Sequence, residues 1–323
     1  MILNFTNFEK TLKKNYCFEV RPEFAVAVSG GPDSMCLLYL LNQWSKIHKA
    51  NVIALIVNHN LRFDSKSESK NVYKFINDLN IKVKILNVKK SKISKKNMNE
   101  ARNNRYNLLT NFCYKNNILH LFVAHHLDDN LETFLNRKIS GSDFEGLISM
   151  QYISQKNKVN ILRPLLYFSK EQIIQFNSKN NINYVTDPSN SNLNYTRPII
   201  RKFLNETSKK NYNQIKGEFN IIKNNFSKYK MMISEVLNKY IYDISETNVK
   251  IKYEVFLELN LVISEIIVKK IYGFFNSEDF HLRSKKIQIF LDKVREKQFK
   301  VFNLRGMLIK KIDKTLIFAK KTN

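Results

Sequence analysis

The sequence predicts an α/β fold: a doubly wound, mainly parallel sheet, followed by a mostly helical C-terminal region with a short terminal β element. In the first half of the chain, short apolar runs alternate with segments of helical periodicity, an order that is typical of βαβ units. The first apolar run, FAVAVS, leads directly into Gly30 and Gly31, as expected for a strand that enters a ligand-binding turn. Beyond about residue 210, helical patterns dominate.

Strands and helices alternate strictly in this first half. Helices have to cover both faces of a parallel sheet, and each crossover should be right-handed. Three predicted strands end at Ser29, Asn58 and Ala124, so the segments that follow them should converge at the sheet edge where such folds bind ligands. In chain order, the predicted strands are 24–29, 51–57, 81–86 and 118–124, and the predicted helices are 34–47, 67–80, 99–117 and 127–139.

The rest of the chain is predicted to form a short mixed segment and then a second domain. The polar stretch at 205–212 predicts a boundary between a first domain at 1–210 and a second domain at 211–323. The remaining predicted elements are a helix from about Ser169, a turn at 187–190, a long polar-faced helix at 211–242, helices at 260–275 and 281–296, and two strands around a turn at 311–314.

The composition is strongly basic. The 323 residues include 54 Lys and Arg against 28 Asp and Glu, a net charge of +26, and such a surplus attracts polyanions such as nucleic acid. A codon bias toward Lys, Asn and Ile explains part of this excess equally well. The second predicted domain holds 22 basic and 12 acidic residues, so it is a candidate for binding nucleic acid.

The composition also excludes several classes of protein. No run of about 18 apolar residues is present, so no membrane-spanning helix is expected, and the N-terminus lacks the pattern of a signal peptide. Cys17, Cys36 and Cys113 lie far apart without a CxxC pair, which argues against a disulfide framework and against a zinc or iron–sulfur site. We therefore expect a cytoplasmic protein without a membrane partner.

The segment SGGPDS at 29–34 lies between a predicted strand and a predicted helix. Glycine permits positive φ and close backbone approach, and the start of the helix presents amides and the positive end of its dipole. Ser29 and Ser34 add hydroxyl donors, so the segment predicts an anion cradle. Asp33 has two interpretations: a Mg²⁺ ligand that bridges to phosphate, or the N-cap of the helix.

SGGxDS after a buried strand resembles the PP-loop of the N-type ATP pyrophosphatases, a superfamily with a Rossmann-like fold that cleaves ATP between the α- and β-phosphates. Neither the Walker A sequence nor GxGxxG is present. The resemblance implies ATP and Mg²⁺ as cofactors. The residues expected to bind ATP are Ser29, Gly30, Gly31, Pro32, Asp33 and Ser34, together with His59 in the loop after the second strand.

Four further segments resemble bacterial tRNA(Ile)-lysidine synthetases, in the same order and at similar spacing. The resemblance covers about residues 20–205. Asn58 stands where the family usually has Asp, and Asn60 stands where it usually has Gly, so this chain has no carboxylate at 58. Pro198 replaces the usual Asn. The segments are VNHNLRFDSKSE (57–68), EARNNRY (100–106), VAHHLDDNLETFLNRKISGS (123–142) and DPSNSNLNYTRPIIR (187–201).

This second resemblance implies a reaction and its partners. ATP adenylates the C2 oxygen of the wobble cytidine in a tRNA(Ile) with a CAU anticodon, and the amine of free L-lysine then attacks C2 and expels AMP. The product, lysidine, changes the identity of the tRNA from Met to Ile. The resemblance thus implies this tRNA and free lysine as partners. The helical, basic character of residues 211–323 predicts that they form the tRNA-binding domain. A homodimer is compatible with the sequence.

Asp129 and Glu132 lie three residues apart on the helix predicted at 127–139, so their carboxylates share one face. The helix follows a strand end, which places its first turn at the ligand edge. Carboxylates there can hold Mg²⁺ (Asp33 with Asp129), orient a substrate, or accept the proton of the lysine ammonium. We therefore assign Asp33, Asp129 and Glu132 to catalysis. The alternative is an acidic turn that complements the helix dipole, and Asp128 fits this alternative equally well.

Arg102 and Arg105 are also three residues apart, and their guanidinium groups suit phosphate or the charge that grows at the α-phosphate. We assign Arg102 to catalysis, with a solvated basic face as the alternative. Tyr195 suits stacking on an anticodon base, or a place in the core. The candidates for contact with the nucleotide or tRNA are Arg105, His126, Arg137, Tyr195, Arg197 and Arg201.

Three other functions stay open at this point. A tRNA thiolase would share the loop, but the three cysteines lack the spacing of a cluster or a thiol relay. An RNA-binding protein with a vestigial loop would not be expected to keep the loop and the acidic pair intact. A small-molecule amidating synthetase with a glutaminase partner would not need a basic C-terminal region.

Overall fold

The computed structural model describes residues 1–58, 72–73, 76–77, 80–88, 98–185, 196–276, 282, 284–296 and 298–320. The chain forms two compact units, Met1–Lys223 and Asn224–Asn323. The strands described in the first unit are β1 (Glu23–Val28), β2 (Asn51–Asn58), β3 (Lys82–Asn87), β4 (His120–Phe122), β5 (Ile153–Lys156) and β6 (Val159–Leu162). Its described helices are α1 (Phe5–Asn15), α2 (Pro32–His48), α3 (Met98–Lys115), α4 (Leu127–Ile139), α5 (Phe144–Leu147), α6 (Lys170–Lys179), α7 (Thr196–Glu206) and the first part of α8 (Lys209–Tyr240), with a 3-10 helix at Pro164–Tyr167.

The strands of the first unit form one sheet in the order β3-β2-β1-β4-β6-β5. All neighbouring strands are parallel except β5, which pairs antiparallel with β6. The chain builds outward from β1 to β3 in one direction and then returns to the other side of β1 at β4. This confirms the predicted doubly wound, mainly parallel sheet, and its switch point between β1 and β4 opens the crevice in which such folds bind ligands.

The two faces of this sheet are covered by different helices. Along β1, Phe24, Val26 and Val28 pack into a core with α1, α2 and α6. Ala25 lies in the core that Tyr106 and Leu109 of α3 form on the opposite face. Since successive side chains of a strand point to opposite faces, the continuous apolar run of β1 results from burial on both sides.

Most predicted bounds in this unit lie within two residues of the observed ones. The helix predicted at 67–80 falls largely outside the described residues, although Val72 and Ile76 are helical and buried. The turn predicted at 187–190 also lies outside them. The β5–β6 hairpin was not predicted, because its turn residues, Asn157 and Lys158, adopt φ of +50° and +62° without a glycine.

The second unit contains a helical layer on an antiparallel sheet with the strand order β7-β8-β11-β10-β9. Buried residues of its shorter helices and of one sheet face form a single core, which includes Phe256, Ile271, Phe290 and Phe318. The predicted terminal strand pair is confirmed as β10 and β11, whereas β7, β8 and β9 were not predicted. Its described elements after α8 are β7 (Ile241–Ile244), β8 (Asn248–Lys252), α9 (Tyr253–Glu258), α10 (Leu261–Phe275), α11 (Ser284–Lys293), β9 (Val301–Leu304), β10 (Met307–Ile312) and β11 (Thr315–Lys320).

The two units meet in sequence inside α8, later than the boundary predicted at 210/211. Tyr212 and Phe219 of α8 belong to the packing of the first unit: the Phe219 ring centroid lies 5.5 Å from that of Phe134, and both residues join a core with Leu131 and Ile200. The start of α8 therefore completes the first unit. In the part of the chain that is described, no helix has the length and apolarity needed to cross a membrane.

Candidate active site

The loop between β1 and α2 lies at the switch point of the sheet. Gly30 has φ of +85°, and a Cβ there would lie 2.4 Å from Cγ2 of Val72, so only glycine fits. Gly31 has φ of −72° and precedes α2 as its N-cap, so it does not use the predicted positive φ. The Ser34 hydroxyl accepts from the Ser29 backbone N–H (3.2 Å) and lies 3.0 Å from the Gly31 carbonyl oxygen, to which it donates. These bonds hold the loop where the first-turn amides of α2 begin.

Asp33 is the second residue of α2, so the N-cap interpretation of this residue is wrong. Its two carboxylate oxygens lie 2.6 Å and 2.8 Å from Nζ of Lys170. Lys170 begins α6 and keeps 40% of its side chain exposed. The Asp33 carboxylate therefore forms an ion pair with Lys170, which no sequence motif predicted.

His126, directly before α4, lies among three carboxylates. Its Nε2 is 3.9 Å from Oδ1 of Asp33 and 3.5 Å from Oδ2 of Asp129, and its Nδ1 is 3.4 Å from Oδ2 of Asp128. Burial by itself would lower the pKa of His126, but the three carboxylates outweigh burial and raise this pKa. The imidazole thus connects the phosphate loop with the first turn of α4. From the sequence, we predicted only that the segments following the strand ends would converge.

Asp128 ties three helices together. Its carboxylate accepts hydrogen bonds from the backbone N–H of Lys170 at 2.6 Å and from the hydroxyl of Tyr212 at 2.8 Å. Burial would raise the pKa of Asp128, but His126 and these two donors lower it to about 2. Asp128 therefore links α4 to α6 and α8 through these hydrogen bonds, a structural role beyond the interaction with the helix dipole that the sequence suggested.

We expect Asp128→Asn to destabilise the first unit. The pKa of Asp128 falls from 3.8 to about 2 on folding, which corresponds to about 2 kcal/mol of unfolding free energy. Because the folded pKa is lowered, this contribution is present above about pH 4 and is lost as the pH falls through 2. Urea unfolding at several pH values should show a loss of about 2 kcal/mol at pH 7 that vanishes toward pH 2. Glu206→Gln, at an exposed residue, is the control, and an unchanged unfolding free energy for Asp128→Asn at pH 7 would contradict this role.

Asp129 and Glu132 share a helix but face different partners. Asp129 Oδ2 accepts from the His126 backbone N–H at 3.0 Å. The side chain of Glu132 is only 6% exposed, and its Oε2 lies 2.9 Å from Nη2 of Arg201. Nε of Arg197 lies 3.7 Å from Oε1 of Glu132. The structure thus places two predicted tRNA contacts, Arg197 and Arg201, against a predicted catalytic carboxylate, while about half of each arginine side chain stays exposed.

The other predicted basic residues lie elsewhere. Arg102 and Arg105 contact Tyr106 on α3, each guanidinium carbon 5.5 Å from the ring centroid, and neither forms an ion pair or hydrogen bond with the phosphate loop among the described residues. Arg137 donates to the Gly146 carbonyl at the end of α4. Two further candidates, His59 and Tyr195, lie outside the described residues. Within those residues, no group of three or more His, Cys, Asp and Glu side chains is arranged as a metal centre.

Lys170 and Tyr212 are site residues that the sequence did not reveal, and Arg163 is a buried residue that it did not single out. Lys170 directly follows Ser169, the N-cap of α6, and nothing in its neighbours marks it as a partner of Asp33. Tyr212 lies on a helix predicted for the other domain. Arg163 directly follows β6, a strand that was not predicted. Packing between distant elements, which the sequence does not specify, brings Lys170 to Asp33 and Tyr212 to Asp128.

Comparisons with known proteins identify related sequences. The family profile of the PP-loop domain matches residues 4–208. A tRNA(Ile)-lysidine synthase from Wolbachia sp. subsp. Brugia malayi is 44% identical over 182 residues, which cover 56% of this chain and 42% of that protein. One from Orientia tsutsugamushi is 35% identical over 61% of this chain and 45% of that protein. The aligned part of the chain thus spans less than half the length of these curated relatives.

A solved structure is similar in fold. The U34-tRNA thiolase NcsA from Methanococcus maripaludis, described with its [4Fe-4S] cluster, superimposes with a TM-score of 0.57 and covers 69% of this chain and 78% of its own. Its sequence identity to this chain is 19%. This likeness confirms the α/β fold of the first unit. At 19% sequence identity it is evidence of the fold alone.

Proposed function

Because the chain belongs to the PP-loop family, we propose that it is an ATP-dependent ligase that attaches lysine to C2 of the wobble cytidine in a tRNA(Ile) with a CAU anticodon. The observation that carries this proposal is the meeting of the phosphate loop with the first turn of α4, where His126 lies between Asp33 and Asp129. The named relatives supply the choice of tRNA and amino acid.

We propose that adenylation occurs first. The loop and the amides at the start of α2 bind the phosphates of ATP, and the C2 oxygen of cytidine attacks the α-phosphorus. A new C2–O–P linkage forms as the bond to the β-phosphate oxygen breaks, and pyrophosphate leaves. Gly30 allows close approach of the backbone to the phosphates, and Ser34 keeps the loop in shape through its bonds to Ser29 and Gly31.

The carboxylates fit a role for Mg²⁺ in this step. Mg²⁺ prefers one or two carboxylates combined with phosphate oxygens and water. The Asp33 and Asp129 carboxylates lie 3.9 Å and 3.5 Å from the same imidazole nitrogen, Nε2 of His126, so they would hold the ion beside the phosphates. When bound, Mg²⁺ would neutralise phosphate charge. Lys170 already supplies one positive charge at Asp33.

Lysine transfer follows in this proposal. The amine attacks C2, the C2–O bond breaks, and AMP leaves with the oxygen. The incoming amine must lose protons, because free lysine is almost fully charged near pH 7. Asp129 and Glu132 are the bases of α4 that attract the ammonium and accept a proton. Arg197 and Arg201 contact the Glu132 carboxylate and fix its position.

The enzyme is proposed to be cytoplasmic, and its assembly into homodimers stays a prediction.

We further propose that the region after the first unit supplies tRNA affinity. A fragment 1–223 should bind ATP like the full chain but lose most tRNA binding. The cut falls after Lys223 because Tyr212 and Phe219 pack on the first unit. Filter binding over a salt series should show steep salt dependence for the full chain. Equal tRNA affinity of fragment and full chain at matched salt would assign another role to the second unit.

The proposed activity is tested by transfer of labelled lysine to RNA. The reaction contains ATP, Mg²⁺, labelled lysine and a tRNA(Ile) transcript with a CAU anticodon, and a tRNA(Met) transcript with the same anticodon is the control. Label on tRNA(Ile) alone would support the proposal, and the absence of label from both RNAs would contradict it.

A thiolase stays the nearest alternative, and two of the three cysteines do not favour it. Cys36 and Cys113 are buried, and burial raises the pKa of both thiols, which opposes the thiolate form that cluster ligation or sulfur relay needs.

A further inference from the structure

Three arginines gather at the carboxyl ends of β4 and β6, on the α3 side of the sheet. Arg163 directly follows β6 and is 8% exposed. Arg102 and Arg105 come from α3, which packs on both strands, and their guanidinium groups flank Tyr106. His125, beyond β4, lies in the electrostatic field of all three arginines. Its neighbour His126 faces the carboxylates of the phosphate-loop side, so the two histidines separate a basic group from an acidic one.

Within the described ranges, this basic group has no matching carboxylate. None of the three guanidiniums forms an ion pair with a carboxylate among the described residues. Nη1 of Arg163 donates to the Gln151 carbonyl and the Ser154 hydroxyl, both at 3.0 Å, but its Nε has no hydrogen-bond partner. In the described part of the chain, Arg163 Nε and His125 Nδ1 are buried here without a hydrogen-bond partner.

Such a group is costly without a ligand. A buried polar atom with no hydrogen-bond partner destabilises the folded state, and like charges in a shielded site raise one another's energy. Burial and then the three arginines lower the pKa of His125 well below its usual value, so the imidazole stays neutral and adds no charge. The site therefore presents fixed positive charge and free donors to one small region.

We propose that Arg102, Arg105 and Arg163 form a phosphate-binding site separate from the SGGPDS loop. A carboxylate carries one negative charge, whereas a phosphate group of pyrophosphate carries more and offers three oxygens to planar guanidinium forks. Arg102 and Arg105 are half-buried, so a phosphate group can reach them from solvent. Arg163 is buried and lies on the inner side of the site. The phosphate has two sources under the proposed function, on which this identification rests: pyrophosphate released from ATP, or a phosphodiester of the tRNA backbone.

The site is tested by arginine footprinting of the full-length protein with phenylglyoxal and mass spectrometry. Inorganic pyrophosphate or tRNA, each added alone, should slow modification of Arg102 and Arg105 about tenfold at ten times its dissociation constant, since about one site in eleven is then free. Exposed Arg21 and Arg305 are the internal controls and should react at unchanged rates with pyrophosphate. Protection by pyrophosphate would identify the ligand of the site as the released product. Protection by tRNA but not by pyrophosphate would identify it as a phosphodiester of the RNA backbone.

Two variants separate this site from the phosphate loop. Asp33→Ala should leave the protection of Arg102 and Arg105 intact, whereas Arg163→Lys, which keeps the charge but loses the fork, should reduce it. Arg102→Gln, at a half-exposed residue, provides a second variant and should weaken protection of Arg105. Unchanged modification rates of Arg102 and Arg105 with both pyrophosphate and tRNA would overturn the proposal. Because the assay needs no ATP, lysine or turnover, its failure is distinct from failure of the proposed ligase activity.

Discussion

Asp33→Ala should abolish cleavage of ATP to AMP and pyrophosphate while the fold survives. The fold should survive because the only described partners of the Asp33 carboxylate are Lys170, which is 40% exposed, and the more distant His126 imidazole. Activity should fall at least about 100-fold, as when a preorganised charged contact to a reacting phosphate is lost. The assay is release of AMP and pyrophosphate in the presence of tRNA.

Lys170→Ala is the matched control for Asp33. It removes the other half of the same ion pair but leaves the carboxylate available to Mg²⁺, so ATP cleavage should be reduced much less. Ser34→Ala should behave like Asp33→Ala, because the Ser34 hydroxyl holds the Ser29 amide and the Gly31 carbonyl in the loop. Near-normal rates in folded Asp33→Ala and Ser34→Ala proteins, or ADP as the product of the unaltered protein, would contradict the assignment of the loop.

Asp129→Asn and Glu132→Gln should keep tRNA affinity and lose turnover. Loss of a carboxylate that binds a metal ion or relays a proton typically costs about 100–10,000-fold in rate. Neither substitution adds bulk, and the arginines that face Glu132 are half-exposed, so water can solvate them in Glu132→Gln. Glu206→Gln, which removes an exposed carboxylate at the end of α7, is the control and should retain full activity.

Separate assays of the two chemical steps would divide the roles of Asp129 and Glu132. Asp129 lies beside Asp33 and His126, so Asp129→Asn should already fail at adenylation. Glu132 faces Arg197 and Arg201, so Glu132→Gln should form adenylated tRNA and fail at lysine transfer. Near-normal lysidine formation in both variants would leave these carboxylates with only a structural role in α4.

The sequence was sufficient to predict the sheet and the phosphate loop, because both depend on local patterns. Apolar runs that are buried on both faces, as in β1, mark parallel strands, and Gly30 marks a turn that no other residue can form. The β5–β6 hairpin escaped prediction because Asn157 and Lys158 carry no glycine signal. Strands β7 and β8 escaped because the helical periodicity of α8 continues up to them.

The partners within the site could not be predicted, because they depend on distant contacts. Lys170 is separated from Asp33 by most of the first unit, and the sequence indicates neither the order of β4 and β6 nor the angle at which α6 begins. Glu132 with Asp129 was predicted from helical spacing, yet the pairing of Glu132 with Arg201 required the packing of α7 on α4. Spacing therefore identified the candidates, and tertiary packing determined which of them meet.

In the proposed mechanism, the loop and the first turn of α4 together adenylate a cytidine. The most direct measurement omits lysine and follows α-labelled and γ-labelled ATP separately after incubation with Mg²⁺ and the tRNA(Ile) transcript. We expect that the α-label becomes attached to the wobble cytidine, that the γ-label is released as pyrophosphate, and that Asp33→Ala prevents both. Release of the γ-label as inorganic phosphate, or an RNA that carries no α-label while ATP is consumed, would contradict it.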